Sequence, residues 1–309
     1  MARFLAGRLV AAVPVLFGVT VLAFAMLHLI PGDPILLLIS GFEASSGPEV
    51  IARAREKFGL NDPLPVQYLH FVQHAFQGDL GTSILKSRPV GTLIAEALPW
   101  SIQLAGTAVV LAVIIGVTLG VISAMNRNTW LDSLSIFSSL FAVSMPDFWL
   151  AILAILVISV KLRWLPSSGT EGVNHLILPA LVLGARSAGS IARLTRSSML
   201  EVLSRPYIMA ARAKGLAAQL ILVRHALKNA LIPVVTLIGL DLGRLLGGTV
   251  VVETIFARQG LGKLLIDSIL DKDFPVLQGT VLFVAGAYVL INLAVDLSYA
   301  WLDPRIRYA

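Results

Sequence analysis

The sequence predicts an all-α integral membrane protein, and three properties of the chain lead to that fold class. Hydrophobic side chains make up 57% of the 309 residues and charged side chains only 14%, whereas a soluble domain carries about 25% charged residues. The mean hydropathy is +0.85. The apolar residues also form several long runs separated by polar and charged loops, which is the pattern of a chain that crosses the bilayer repeatedly.

Six apolar runs are long enough to cross the membrane. A bilayer core of about 30 Å needs about 20 apolar residues in a helix that rises about 1.5 Å per residue. The predicted spans cover residues 9–30, 100–125, 133–160, 176–198, 229–252 and 275–301. We expect the first span to be retained as a signal anchor, because it is too long for a signal peptide and no small-residue cleavage site follows it.

Basic residues predict the orientation of these spans. The N-terminus, the loops near 126–132 and 199–228, and the C-terminus together carry far more basic than acidic residues. The positive-inside rule therefore places both termini in the cytoplasm. The net charge of +6 has the same explanation, so we expect anionic lipid rather than nucleic acid to face these loops.

The spans and loops divide the chain into three parts. Residues 1–30 form the cytoplasmic N-terminus and the first span, residues 31–99 form a small helical extracytoplasmic cap, and residues 100–309 form a five-helix transmembrane core. Two stretches of the cap have helical patterns, at 48–57 and from Pro65 onward, each opened by a proline. The alternative is a loop that only shields the ends of the membrane helices.

The segment between the fourth and fifth spans has a composition of its own. Near residues 205–216 it is rich in alanine with interspersed arginine and lysine, a composition that favours helix, and Gly215 is placed to end that helix. No apolar run here is long enough to enter the bilayer. The segment therefore predicts a short exposed cytoplasmic helix that meets another protein, or, alternatively, a solvated basic loop.

Motifs of catalysis are missing from the sequence. Gly260 to Lys263 is superficially similar to a phosphate-binding loop but has neither the first glycine nor the final hydroxyl residue. The chain contains no cysteine, no zinc-protease motif and no serine-nucleophile elbow. We expect no enzyme activity, no catalytic or metal-binding residue, and no cofactor in this chain.

The basic segment also carries a family resemblance. Residues 211–215 have the sequence Ala-Arg-Ala-Lys-Gly, and Arg-His-Ala-Leu-Lys-Asn follows at 224–229. Together they resemble the coupling segment of permease subunits in the dipeptide/oligopeptide family of ATP-binding-cassette (ABC) importers. Further family-like motifs follow one another along the chain, beginning at Leu29, Phe58, Gly78, Ser144, Leu194 and Asp303. The chain departs from the general importer pattern at Met209, where that pattern has a glutamate, and at Pro233, which lies later than the usual proline.

This resemblance implies a transport function. The large segment after the first span resembles the first-position subunit of paired permeases, and the chain length is most similar to that of glutathione- and dipeptide-type members. The expected protein is a permease of the bacterial inner membrane that moves dipeptides, oligopeptides or glutathione. Its implied partners are a second homologous permease, two cytoplasmic ABC ATPases, an external solute-binding protein that docks on the outer loops, and membrane lipid.

The same resemblance assigns the energy coupling to one short stretch. Since the chain has no nucleotide site, the ATPases are expected to act through a docking core that consists of Ala211, Arg212, Ala213, Lys214 and Gly215. Two other functions stay open at this point. One is a nickel or metallophore importer of the same family, and the other is an ion-coupled secondary transporter that uses Asp147 and Asp241.

Charged residues inside the predicted spans are the candidates for the substrate pathway. A charge near a helix centre costs about 2.5–3.5 kcal/mol on insertion scales, so such residues usually face protein or water. The four that qualify are Asp147, Arg186, Asp241 and Arg244. A zwitterionic peptide would find both complementary charges there. The competing interpretation is a structural ion pair, Arg186–Asp241 or Asp241–Arg244, that only stabilises the helix bundle. Asp147 would then have a structural role beside Pro146, which removes a backbone donor and can kink the third span.

Overall fold

The computed structural model describes residues 2–29 and 62–302, and within them the regular secondary structure is helical apart from one isolated β-bridge between Thr82 and Pro89. The helices are α1 (Ala2–Leu29), α2 (Leu64–Phe76), α3 (Val90–Met125), α4 (Trp130–Ser144), α5 (Asp147–Ala154), α6 (Asn174–Leu203), α7 (Pro206–Ala213), α8 (Lys228–Ile255), α9 (Leu261–Leu270) and α10 (Phe274–Leu302). Two π-helical stretches extend them: Ile155–Lys161 continues α5, and Ile221–Leu227 leads into α8.

Several of these helices have the length and composition of membrane spans. In the described part of the chain the candidates are Val90–Met125, Asn174–Leu203, Ala218–Leu245 and Phe274–Val295, and the pair α4 and α5 counts as a fifth if it forms one broken span. The apolar stretch within α1, Val10–Met26, is shorter. The predicted all-α membrane fold is therefore confirmed, while the number of six spans stays a prediction.

The third predicted span is not one continuous helix. The sequence analysis expected a single run over 133–160, but α4 and α5 meet at an angle of 113°. Met145, between them, has extended backbone with φ −80° and ψ 134°. The cause lies in Pro146, which has no backbone N–H to donate and disfavours helical backbone in the residue before it.

The segment between the first two predicted spans is partly described. Helix α2 begins at Leu64 with a proline in its first turn, as the pattern from Pro65 predicted. Helix α3 begins at Val90, which is ten residues before the predicted second span. The stretch predicted to be helical at 48–57 lies outside the described residues, as do parts of the motifs that begin at Leu29, Phe58 and Asp303.

The chain divides into two compact units, one formed by Met1–Pro99 with Gln259–Ala309 and the other by Trp100–Arg258. The second unit is built on close helix packing. A Cβ atom added to Gly116 would lie 2.7 Å from the carbonyl oxygen of Ala188, and one added to Gly120 would lie 2.5 Å from Cβ of Thr195. These glycines therefore let α3 approach α6 more closely than any side chain would allow.

Candidate functional site

Helix α7 is the predicted cytoplasmic segment, and local chemistry sets both of its ends. Pro206 occupies the first helical position, where its missing N–H removes no intrahelical hydrogen bond. At the other end Gly215 has φ +76°. The Gly215 N–H donates to the Arg212 carbonyl at 2.9 Å and the Leu216 N–H to the Ala211 carbonyl at 3.3 Å. This is a Schellman ending, so the predicted stop at Gly215 is confirmed.

One buried side chain fixes α7 to the rest of its unit. Ile208 is completely buried and belongs to a cluster of apolar residues from four helical segments, whose buried members also include Ala124, Met199, Ile221, Ala226 and Ala230. Next to it, the Tyr207 hydroxyl accepts a hydrogen bond of 3.0 Å from the Asn229 side chain. The short helix is thus attached to the ends of the longer helices around it.

The attachment at Ile208 determines which residues α7 exposes. Ala211 is half-buried and packs against the apolar cluster, because it lies about 60° from Ile208 around the helix. The opposite face is formed by Ala210 and Ala213, both exposed. Of the predicted docking core, Arg212, Ala213, Lys214 and Gly215 are exposed. The sequence analysis did not select Ala210, because the pattern alone did not show which face is buried.

Two of the predicted pathway residues form an ion pair within α8. Arg244 Nη2 lies 3.1 Å from Asp241 Oδ1, and Arg244 Nε donates to the same oxygen at 3.2 Å. Arg244 Nη2 also donates to the Ser187 hydroxyl of α6 at 3.1 Å. The side chain of Asp241 is 13% exposed and that of Arg244 is 44% exposed. The structure therefore forms the Asp241–Arg244 pair that the structural alternative anticipated.

The pair leaves hydrogen-bonding capacity unused. Oδ2 of Asp241 is buried and has no hydrogen-bond partner among the described residues. A buried, unsatisfied carboxylate oxygen costs more free energy than one that keeps a donor. Asp147, at the start of α5, lies beside a later position of α8, since a Cβ atom placed on Gly248 would be 4.0 Å from Asp147 Oδ2. Gly248 follows Asp241 by about two helical turns on the same face.

Arg186 does not join this group by an ion pair. Its side chain is exposed on α6, and the described residues include no carboxylate within ion-pairing distance of it. The alternative Arg186–Asp241 pair is therefore not formed. Gly239, Gly243 and Gly247 recur every four residues along α8 but differ in their surroundings: Gly243 is buried, whereas a Cβ atom on Gly247 would meet nothing within 4 Å.

Sequence reasoning missed a buried ion pair on the cytoplasmic side of the predicted topology. Asp132, at the start of α4, accepts hydrogen bonds from Arg196 Nε at 2.7 Å and Nη2 at 2.8 Å. It also accepts from the Ser123 hydroxyl at 2.5 Å and from the Asn128 backbone at 2.9 Å. Both oxygens are satisfied, so this carboxylate joins α3, α4 and α6. The sequence analysis counted Asp132 and Arg196 only as loop charges, and no local signal pairs them.

A second buried polar cluster lies at the other end of α8. Glu253 and Arg258 are both fully buried. Glu253 accepts a hydrogen bond of 2.6 Å from the Ser101 hydroxyl, and Arg258 donates to the His175 carbonyl and to the Gln103 side chain. Burial lowers the pKa of the Arg258 guanidinium, and the nearby Glu253 charge acts in the opposite direction. The cluster connects α3, α6 and α8.

Comparison with protein families matches nearly the whole chain. Residues 116–308 match the family described as the inner membrane component of binding-protein-dependent transport systems. Residues 1–105 match the N-terminal region of the membrane component of such systems. The N-terminal match ends at residue 105 and the other begins at residue 116, both within α3.

Individual proteins agree with this assignment. The chain is 45% identical to the glutathione transport system permease protein GsiC of Escherichia coli O6:H1, and 44% identical to that of Salmonella typhimurium, in each case over 100% of both chains. It also resembles a solved structure of the inward-facing MetNI methionine ABC transporter, with a TM-score of 0.58 and 21% identity over 68% of this chain and 96% of that one. The motif-based recognition is confirmed, and the chain belongs to the family of inner membrane components of binding-protein-dependent transport systems.

Proposed function

We propose that this chain is the permease subunit of an ABC importer that moves small peptides of the glutathione type across the bacterial inner membrane. The observation that carries the proposal is the identity of 44–45% to glutathione transport permeases over the full length of both chains. The substrate would arrive from an external binding protein, and a second homologous permease would complete the pore. Both termini would lie in the cytoplasm, as the basic loops favour.

The proposed energy coupling runs through α7. Two cytoplasmic ATPases would bind the exposed face of this helix, formed by Ala210 and Ala213 and flanked by Met209 and Lys214. The small alanine side chains let a partner approach the helix backbone closely, and the attachment at Ile208 passes the displacement on to the long helices. Rigid-body movement of those helices would alternate access to the pathway.

An alanine that faces outward gives the sharpest test of this docking surface. Ala213→Trp places a large ring on the exposed face and is expected to abolish uptake and co-purification of the ATPases, while the permease still inserts into the membrane. Ala213→Ser keeps the side chain small and serves as the matched control, with uptake near that of the unchanged protein. Normal uptake by Ala213→Trp would contradict docking at this face.

The end of the helix offers an independent test. Gly215 has φ +76°, and a Cβ atom there would meet nothing within 4 Å, so a substitution strains the backbone without a clash. Asn tolerates left-handed backbone, whereas β-branched Val does not. Gly215→Val is therefore expected to lower uptake strongly and Gly215→Asn only slightly. Equal uptake by the two variants would show that the shape of this ending is not needed.

The substrate pathway is proposed to pass the charged pair on α8. A peptide of the glutathione type carries carboxylates and an ammonium group. The buried Oδ2 of Asp241, without a partner among the described residues, could accept the ammonium group, and the half-exposed Arg244 could donate to a carboxylate. Asp147 and Arg186 would line the same route on α5 and α6.

Uptake measurements distinguish the substrate classes. Cells that lack their own glutathione and dipeptide importers would express the complete transporter, and the entry of labelled glutathione, a dipeptide and chelated nickel would be compared. We expect ATP-dependent entry of glutathione. Entry of nickel alone would favour the metallophore function, and entry that stops when the ion gradient is collapsed at constant ATP would favour a secondary transporter.

A further inference from the structure

Helix α2 packs on the middle of α1. The Tyr68 and Thr20 hydroxyls form a hydrogen bond of 2.8 Å. The Tyr68 ring meets Phe17 and Phe24 edge-on, with centroids 6.4 and 5.5 Å away, and Phe71 lies 6.0 Å from Phe24. Aromatic pairs at these distances contribute packing energy in addition to the burial of apolar area. Within its own unit, α2 therefore has a defined seat on α1.

The position of this seat gives the depth of α2 relative to the membrane. The predicted first span covers residues 9–30, and all three contact residues of α1 lie between Phe17 and Phe24. At 1.5 Å per residue the contacts are about 9 Å or more inside either end of that span. This holds whichever end of α1 faces the cytoplasm. A helix seated there lies within the bilayer, although the sequence analysis placed it in a cap outside the membrane.

The exposed side chains of α2 separate into an apolar and a polar side. Residues Tyr68, Phe71, Val72 and Ala75 are half-buried on the side that faces α1. Next to them, on one flank, Leu69 is 64% exposed and Phe76 is 89% exposed. The exposed histidines of the helix, His70 and His74, lie on the side away from that flank, whereas Gln73 borders it, about 40° from Leu69 around the helix.

The apolar flank continues a surface of α1 that is also apolar. Val13, Phe17 and Leu22 of α1 are each more than 60% exposed, as expected for a span that meets lipid. The exposed side chains of Leu69 and Phe76 would be unfavourable in contact with water, whereas contact with lipid at this depth is favourable.

We infer that α2 is a membrane-embedded helix whose Leu69 and Phe76 contact lipid acyl chains, while His70 and His74, on the other side of the helix, face water. The hydrogen bond to Thr20, whose hydroxyl also donates to the Phe17 carbonyl at 2.8 Å, gives the Tyr68 hydroxyl a partner that it would otherwise lack in the apolar layer. The helix thus anchors the segment after the first span to the membrane. The inference rests on the first predicted span crossing the bilayer, and it does not depend on the substrate.

Spin labels at single cysteines test this placement, because the natural chain has no cysteine that would react as well. The variants are Leu69→Cys and Phe76→Cys on the apolar flank, His70→Cys on the polar side, and Leu22→Cys on α1 as a lipid-facing reference. Each would be measured in the assembled transporter in vesicles of phosphatidylethanolamine and phosphatidylglycerol. The readouts are collision with oxygen, which dissolves in lipid, and with a water-soluble nickel chelate.

The labels at 69 and 76 are expected to behave like the label at 22, with a severalfold higher ratio of oxygen to nickel collisions than the label at 70. If the nickel chelate reached 69, 76 and 70 equally, α2 would lie in water and the inference would be wrong. If the labels at 69 and 76 were immobile and shielded from both reagents, a protein partner would cover the flank, which would also overturn it.

A charge on the flank provides a second measurement. Leu69→Asp is expected to lower the amount of assembled transporter in the membrane, because a carboxylate cannot replace leucine among acyl chains. His70→Asp, on the same helix but on the polar side, is the matched control and should leave that amount unchanged. Equal amounts for the two variants would contradict lipid contact at Leu69.

Discussion

Two ion pairs of the second unit have the same chemistry but different surroundings. Asp132 is 4% exposed, and its two oxygens accept four hydrogen bonds, two of them from Arg196. Asp241 bonds to Arg244 through one oxygen, and its other oxygen is buried with no partner among the described residues. Arg196 is 24% exposed and Arg244 is 44% exposed.

The difference separates a structural pair from a pair that can still bind. The first carboxylate has no unfilled position and joins three helices, so a ligand would gain nothing by approaching it. The second joins two residues of one helix, with one hydrogen bond to α6, and keeps an acceptor and a partly accessible guanidinium. An unpaired carboxylate oxygen is unfavourable in the protein alone. Binding of a zwitterion would supply hydrogen-bond partners to this oxygen and to the guanidinium, which would favour the complex.

The largest expected effect is on stability, at the saturated pair. Asp132→Ala leaves the Arg196 charge without its partner, and the loss of one member of a buried pair costs about 3–5 kcal/mol. We expect a correspondingly lower unfolding midpoint of the purified protein in detergent. Glu201→Ala, which removes an exposed ion pair with Arg205, should cost less than about 1 kcal/mol. Similar losses in the two variants would remove the distinction between the pairs.

The next effect is on transport, at the unsaturated pair. Asp241→Asn removes the charge that would hold an ammonium group, and a hydrogen bond to a charged group contributes about 1.5–3 kcal/mol, equivalent to a factor of about ten or more. Uptake at low substrate concentration should fall by about tenfold, with little change in the unfolding midpoint. Asp241→Glu keeps the charge and should retain more uptake. A fall in uptake that only follows the amount of folded protein would indicate a structural pair.

A smaller effect is expected where Arg244 meets α6. Ser187→Ala removes the hydroxyl that accepts from Arg244, and one such hydrogen bond contributes about 1 kcal/mol of stability. The apparent KM for uptake should rise because the guanidinium is positioned less firmly. Ser138→Ala, whose exposed hydroxyl bonds only to its own helix, is the control. An unchanged KM with a lower unfolding midpoint would limit Ser187 to packing.

The smallest effect on stability is expected at Arg186. Its side chain is exposed and has no ion pair among the described residues, so Arg186→Gln should change the free energy of unfolding by less than about 0.5 kcal/mol. Uptake should fall less than in Asp241→Asn, because no neighbouring acid orients this guanidinium. A stability loss as large as that of Ser187→Ala would reveal a partner for Arg186.

Features fixed by neighbouring residues could be predicted from the sequence. The ending of α7 at Gly215 and the start of α2 near Pro65 both depend on the backbone preferences of a single residue. Pro146 predicted a kink in the third span for the same reason. The size of the bend, 113°, could not be predicted, because it depends on how α4 and α5 pack against other helices.

Features that depend on packing between distant residues could not be found in the sequence. Asp132 and Arg196 are 64 residues apart, and the close packing of α4 on α6 brings them together, since a Cβ atom on Gly189 would lie 2.6 Å from the Ser139 carbonyl oxygen. Similarly, the sequence does not show that Ala210 rather than Ala211 lies on the exposed face of α7, because this depends on the burial of Ile208. The intrahelical pair of Asp241 and Arg244 was foreseeable from its spacing of three residues.

The elbow between α4 and α5 has a consequence for the surroundings of the protein. A helix end leaves amide and carbonyl groups without intrahelical partners, and no side chain caps the start of α5 in the described residues. In hydrocarbon each such group is strongly unfavourable. If the elbow lies at the depth of the acyl chains, as the predicted third span implies, water or protein rather than lipid is expected to surround the backbone at Pro146.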